Sequence, residues 1–234
     1  MSEPHSDFIA PNAVPPPELQ DLITRFGQLY TGAVNDVLDG MGVRDRVLPP
    51  GIVPLRHGMR FAGRAMPTLG APSLETDMDK LLLPWMEMLQ SIQPGDVLVT
   101  QPNDHQNAHF GELSSHAAKI AGCQGVVIDG GCRDIDYILH QSQLPVFCRY
   151  TTPKDIKGRW KLIDHHVPIR IGETTIHVGD FILADLDGII AIPQDITLEV
   201  LEKAEETAGK ENLTRKMILA GSPPLDAYLK YRVF

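Results

Sequence analysis

Leu19, Leu22, Ile23 and Phe26 recur three and four residues apart, the spacing that lines one face of an α-helix, so a first helix is expected from about residue 18. The periodicity returns in Ala33, Val34, Val37, Leu38 and Met41 and stops at Gly40 and Gly42. Residues 59–69 read as a broken strand. Residues 75–91 read as a helix with Leu81, Leu82, Trp85, Met88 and Leu89 inward, kinked or delayed by Pro84. The pattern then changes to solid apolar runs, GDVLVT (95–100), GVVIDGG (125–131) and LPVFCRY (144–150), each expected to be a buried strand. FGELSSHAAKIAGC reads as a loop entering a helix with Leu113, Ala117 and Ile120 on one face, and another helix begins near Asp134. Strand, helix, strand, helix, strand over residues 95–150 is the pattern of a parallel crossover unit.

The second half differs. PIRIGETTIHVGDFILADLDGIIAIP (168–193) has short apolar runs separated by Gly-Glu, Gly-Asp and Asp-Gly, the punctuation of antiparallel hairpins. A long amphipathic helix is expected over 195–220, broken by GSPPLDAY. Residues 1–17, rich in proline, read as an extended arm, and residues 18–234 as one domain. The fold class is mixed α/β: a sheet with a βαβ crossover core and antiparallel hairpins.

Composition narrows the function. At 43% hydrophobic and 22% charged residues, the chain is long enough to bury a substantial core. Its formal net charge of -9, without a basic cluster, excludes a nucleic-acid surface, which needs lysine and arginine to replace phosphate counterions. No apolar run reaches membrane-spanning length, the N-terminus has no secretory pattern, and Cys123, Cys132 and Cys148 lack CxxC spacing. A cytoplasmic protein with buried thiols is expected.

The chemistry concentrates in VVIDGGCRDIDYI (126–138), where a buried strand runs through two glycines into Arg133 and Asp134. Open α/β sheets place ligands at the C-terminal ends of their strands. An arginine there is a fork of donors suited to a carboxylate, and an aspartate is a hard oxygen ligand suited to Mg²⁺ or Mn²⁺. The pair alone also reads as a helix N-cap beside a surface arginine. Twenty residues separate Glu112 from Arg133, one helix plus one strand, so the two strand-to-helix loops should lie side by side. Phe110, Gly111, Glu112 and Leu113 open a helix whose free amides suit an anion. His105 and His109 lie in the polar stretch QPNDHQNAH (101–109) and His116 follows in SSHAAK; the three read as selectivity groups over the pocket or as solvated side chains, their spacing being poor for metal ligation. Lys119 lies mid-helix and is expected to face solvent, against a Schiff-base route.

The glutamate, the gap of twenty and the Arg-Asp pair, set in GELSSHAAKIAGCQGVVIDGGCRD, resemble the signature of the family that contains 4-hydroxy-4-methyl-2-oxoglutarate aldolase and the RraA-type regulators of ribonuclease activity. The likeness continues through YTGAVNDVLDGMG (30–42), PVFCRYTTPKD (145–155), GDFILADLDGIIAIP (179–193) and PLDAY (224–228), while the family more often carries Asp and Gly where this chain has QPNDHQ. The resemblance implies a swivelling α/β fold and a divalent-metal lyase of the class II aldolase type. Such a lyase releases pyruvate from a 4-hydroxy-2-oxo acid and often decarboxylates oxaloacetate. It implies Asp134 as metal ligand, Arg133 as holder of the pyruvyl group, and Glu112 as holder of a water on the metal. The amides of Gly111, Glu112 and Leu113 would bind the pyruvyl carboxylate. It also implies a homotrimer or homohexamer with sites between subunits, Glu211 arriving from the neighbour. The other class in the family is a non-catalytic regulator, which needs no acidic residue at position 112. A methyltransferase is excluded, since no glycine-rich nucleoside loop follows the first strand.

Overall fold

The structure, a computed structural model, describes residues 13–234. Helices α1 (Pro17–Phe26) and α2 (Thr31–Gly40) precede strands β1 (Val53–Pro54) and β2 (Phe61–Pro72) and helix α3 (Met78–Gln90). Then come β3 (Asp96–Gln101), β4 (Ala108–Phe110), α4 (Glu112–Ile120), β5 (Gly125–Cys132), the single turn α5 (Ile135–Tyr137) and β6 (Val146–Thr151). The second half holds β7 (Trp160–His165), β8 (Ile169–Ile171), β9 (Thr174–Ile176), β10 (Phe181–Ala184), β11 (Ile189–Ile192), α6 (Thr197–Leu219) and α7 (Pro224–Tyr231).

The main sheet runs β1-β6-β5-β3-β2-β10-β11, with β4 added to β5 and β7 to β2. Its centre, β2, β3, β5 and β6, is parallel, and β1, β7, β10 and β11 pair antiparallel around it. Mixed α/β architecture in a single domain is therefore what the chain forms. The solid apolar runs have a simple cause: strand side chains alternate between faces, and both faces are covered. Leu98, Val126 and Val146 pack with Trp85, Met88 and Ala118 under α3 and α4, whereas Val97, Val99, Val127 and Phe147 face Ile169, Ile171 and Ile176 of the β8-β9 hairpin. A third cluster joins α1, α2 and α6 to Phe181, Leu183, Ile190 and Ile192.

Some expectations change. Helix α3 does begin late, at Met78, with the Asp77 carboxylate accepting from the Asp79 N–H at 3.1 Å, and it runs on through Pro84. Leu82 is half-exposed because the sheet is met by Leu81, Trp85, Met88 and Leu89 alone. In α4 the buried face is Ser115 and Ala118, small residues that let the helix lie close to its neighbours, while Leu113 is 80% exposed and Ile120 also faces out. Residues 108–110 are not loop but strand β4, parallel to β5. GSPPLDAY breaks α6 and then starts α7, with Pro224 in its first turn where the missing N–H costs nothing. Strand β7 follows a turn at residues 157–159. It carries Trp160 into the space above Gly70, where an added Cβ would stand 2.0 Å from the indole. Pro17 already belongs to α1, and of the arm expected over residues 1–17 the part over 1–12 lies outside the described residues. Among the described residues no helix is long and apolar enough to cross a membrane.

Candidate active site

Strand β5 runs through the two glycines to Cys132, with a register shift against β6 between Ile128 and Gly131. The glycines are required by what lies against them. A Cβ on Gly130 would meet the His109 ring at 2.6 Å, and one on Gly131 the Asn107 carbonyl and the Tyr150 ring at 2.5 Å. This close packing carries the chain to Arg133, whose N–H donates to the Phe110 carbonyl at 3.0 Å, and to Asp134. Asp134 sits in the left-handed region, φ 59°, an uncommon conformation for a residue with a side chain and a feature that clusters at functional sites.

Here the two loops meet. The Glu112 N–H, in the first turn of α4, donates to Asp134 Oδ2 at 3.3 Å, and the same oxygen lies 3.4 Å from Arg133 Nε. Asp134 thus does cap a helix, but the adjacent α4 rather than its own short turn. Gly111 makes the approach possible, since a Cβ there would stand 2.6 Å from Asp134 Oδ2 and 3.2 Å from Arg133 Cγ. Glu112 Oε1 lies 3.9 Å from His116 Nε2 one turn along the helix. A cleft of about 320 Å³ opens beside these groups, lined by Arg133, Asp134, Ile135, Thr151, Thr152 and Pro153. Of the expected site residues, Gly111, Glu112, Arg133 and Asp134 come together, and Leu113 stands exposed at their edge. Glu211 does not join them. It lies in α6, in a separate cleft with Tyr30, Asp36, Thr214 and Phe234.

Two features were not anticipated. Arg133 Nη1 donates to Asp155 Oδ1 at 3.0 Å, from the loop after β6. The loop after β6 falls beside that of β5 for the same reason as the loop after β4, because β6 is also a parallel neighbour of β5. The second is His109, which is buried in β4 rather than exposed over the pocket. Its Nδ1 accepts from the Gly131 N–H at 3.2 Å, its Nε2 donates to Asp104 Oδ2 at 2.9 Å, and its ring lies 5.0 Å from that of Trp160. Burial pushes its pKa down, outweighing the opposing pull of Asp104, so the ring is neutral with its proton on Nε2. The Asp104 carboxylate is held below its ordinary value by hydrogen bonds from Asn107 and His109, against its partial burial. Burial also lifts the Tyr150 phenol to about 12, and its hydroxyl donates to the Asn107 carbonyl at 3.2 Å. Cys123 and Cys148 are lifted to about 11 by burial and Cys132 higher still, which leaves all three as protonated core side chains. Lys119 is exposed, as expected.

Among the described residues no three His, Cys, Asp or Glu side chains converge into a closed metal cage. The donor set suits a different kind of ion. Mg²⁺ and similar hard cations take one or two carboxylates and keep several waters for exchange with substrate oxygens. Asp134, its side chain 40% exposed at the cleft, fits that description, and Glu112, whose N–H reaches the same carboxylate, carries the second acid of the junction. A larger cleft of about 600 Å³ lies at the opposite pole, by Arg46, His177 and Gln194. Its buried acid, Asp180, is already satisfied by Arg46 Nη2 and by the N–H groups of His177 and Gln194, which is a structural role.

The family model for RraA-like proteins, described as Aldolase/RraA, matches residues 31–191. A Halalkalibacterium halodurans protein, provisionally named as a 4-hydroxy-4-methyl-2-oxoglutarate aldolase, is 30% identical over 211 residues, covering 90% of this chain and 94% of that one. A solved structure of a Pseudomonas syringae protein without an assigned role superposes with a TM-score of 0.80 at 28% identity, over 94% of this chain and 97% of the other. The Streptomyces coelicolor protein described as an unusual member of the RNase ES inhibitor RraA family gives a TM-score of 0.74 at 26% identity, over 88% and 99%.

Proposed function

Because this chain belongs to the RraA-like family of aldolase and RraA proteins, we propose that it is a divalent-metal-dependent lyase. It cleaves a 4-hydroxy-2-oxo acid such as 4-hydroxy-4-methyl-2-oxoglutarate to release pyruvate, and it decarboxylates oxaloacetate. The observation that carries this reading is that Arg133 and Asp134 line one cleft and that the first turn of α4 meets them through the Glu112 N–H on Asp134 Oδ2.

Breaking the C3–C4 bond of such an acid moves the bonding pair into the pyruvyl unit, which becomes an enolate, while the C4 hydroxyl loses its proton and becomes a carbonyl. Arg133 directs its guanidinium at the 2-oxo oxygen, where the negative charge develops, and this is the stabilisation that lowers the barrier. The pyruvyl carboxylate takes the amides at the start of α4, Gly111, Glu112 and Leu113, replacing Asp134 as acceptor of the Glu112 N–H. Glu112 orients the water that accepts the hydroxyl proton, and protonation at C3 then completes pyruvate. Asp134 would hold Mg²⁺ or Mn²⁺ directly and Glu112 through a water. The ion supplies Lewis-acid stabilisation of the same enolate charge. Decarboxylation of oxaloacetate uses the same enolate with CO₂ as the leaving fragment.

In this reading the protein is a homotrimer or homohexamer, and Glu211 reaches the site from the neighbouring subunit. Within one chain Glu211 lines a cleft separate from that of Arg133, so it can serve the site only from a neighbour, and the exposed Leu113 next to Glu112 leaves apolar surface for such a neighbour to cover. The test is pyruvate release, coupled to NADH oxidation by lactate dehydrogenase, from oxaloacetate and a panel of 4-hydroxy-2-oxo acids with Mg²⁺, Mn²⁺ or chelator. Metal-dependent release from at least one acid supports the reading. A folded oligomer that releases none overturns it and leaves the regulator class.

A further inference from the structure

Arg133 is a long side chain whose guanidinium could present any of three edges to the cleft. Its Nε lies 3.4 Å from Asp134 Oδ2 and its Nη1 donates to Asp155 Oδ1 at 3.0 Å, so both ends of the planar group are engaged and, among the described residues, Nη2 is the nitrogen left for a ligand. The two carboxylates are not equivalent. Asp134 also serves the Glu112 N–H and, in the lyase reading, the metal ion, so its hold on Arg133 is shared. Among the described residues the Asp155 carboxylate contacts Arg133 alone.

The segment that carries Asp155 is pinned on both sides. The Thr152 N–H donates to the Cys132 carbonyl at 3.0 Å, immediately before Arg133, and the Lys154 carbonyl accepts from the Ala108 N–H at 2.9 Å. Behind it, Arg159 Nη1 donates to the Asp155 carbonyl at 3.1 Å, and the Ile156 carbonyl receives the N–H groups of Arg159 and Trp160. Trp160 is buried against Trp85, ring centroids 5.9 Å apart. Asp155 therefore stands on backbone tied directly to β4 and β5, the two strands that deliver Glu112 and Arg133.

We infer that Asp155 is a positioning residue for the lyase reaction proposed above: its carboxylate fixes the plane of the Arg133 guanidinium so that Nη2 faces the developing enolate. An arginine held in advance stabilises transition-state charge without reorganising, whereas a swinging one loses part of that effect. Substrate still binds through the α4 amides, so the loss falls on turnover.

The experiment uses the full-length protein and its Asp155→Ala and Asp155→Asn variants. Steady-state pyruvate release from oxaloacetate is measured beside ¹⁵N NMR of the arginine guanidinium groups, with Arg133→Lys to assign the Arg133 signal. The expected result for Asp155→Ala is a fall in kcat of about tenfold or more with KM changed by less than about twofold. Rotation about the Arg133 Nε–Cζ bond should become fast, while the unfolding midpoint stays in place because the side chain is partly exposed. Asp155→Asn, which keeps an acceptor oxygen, loses less. Unchanged turnover, a rise in KM alone, or an equally restrained guanidinium in Asp155→Ala overturns the inference. If the wild type releases no pyruvate from any acid, the lyase reading fails separately. The NMR signal then decides the clamp by itself: a freed guanidinium supports it, and a restrained one overturns it.

Discussion

The Glu112 backbone N–H donates to Asp134 Oδ2 at 3.3 Å, so the first turn of α4 and the end of β5 are joined by the aspartate proposed to hold the metal ion. One carboxylate therefore sits between a helix N-terminus and a guanidinium, the two groups best able to hold the anionic ends of a 2-oxo acid. Asp134→Asn keeps the side chain's shape, an acceptor oxygen and tolerance of the left-handed backbone. It should change unfolding stability by about 0.5 kcal/mol or less, as for surface substitutions, yet abolish metal-dependent pyruvate release. Calorimetric unfolding and the coupled assay read the two effects.

Gly111 tests the fit of that junction. Its φ of -155° is extended backbone open to any residue, so Gly111→Ala meets no conformational barrier. Its new methyl would instead press on Asp134 Oδ2 and Arg133 Cγ. Activity should drop about a hundredfold, the size of effect expected when catalytic groups shift by about 1 Å. A variant with wild-type kcat would show that the groups do not act from this arrangement.

His109 links pH to stability. Its folded pKa lies below the ordinary value of 6.5, so the unfolded chain binds the extra proton more readily. The stability tied to the neutral ring is fully present above 6.5 and is lost as pH falls from there toward the depressed folded value. Asp104 has the same sign in a lower window: its folded pKa is also depressed, so its contribution is lost only as pH falls below 3.8. His109→Asn, which retains an acceptor near Nδ1 for the Gly131 N–H, should flatten the slope between pH 6.5 and mildly acidic values. Urea unfolding at several pH values checks this.

Glu211 gives a test of subunit sharing. Arg133→Ala and Glu211→Ala should each be inactive alone, yet regain activity when mixed and allowed to exchange subunits, because some interfaces then carry both native residues. Failure to complement in a mixture shown by mass spectrometry to have exchanged would remove Glu211 from the site.

The parallel core and the hairpins were legible because both depend on local pattern: apolar runs for strands covered on two faces, and Gly-Asp punctuation for turns. The meeting of Glu112 with Arg133 and Asp134 was legible because adjacent parallel strands place their following loops side by side. Other features depend on information that spacing does not hold. Leu113 has the period of an inward residue, but α4 approaches its neighbours through Ser115 and Ala118, so only packing reveals that it faces out. His109 lies in a polar stretch, and its burial follows from β4 joining β5, a three-residue strand too short to carry a pattern. Asp155 obeyed the adjacent-loop rule that found Glu112, but nothing in its neighbourhood marks it as facing Arg133.

The most direct measurement compares pyruvate release by wild type and Arg133→Ala with saturating Mg²⁺ or Mn²⁺, on whichever 2-oxo acid the wild type turns over fastest. Arg133→Ala should lower kcat by about a hundredfold to a thousandfold, as when a transition-state donor is removed, in an oligomer of unchanged mass and unfolding midpoint. Equal turnover by the variant would contradict the proposed mechanism, because no enolate could then depend on the residue around which the cleft is built.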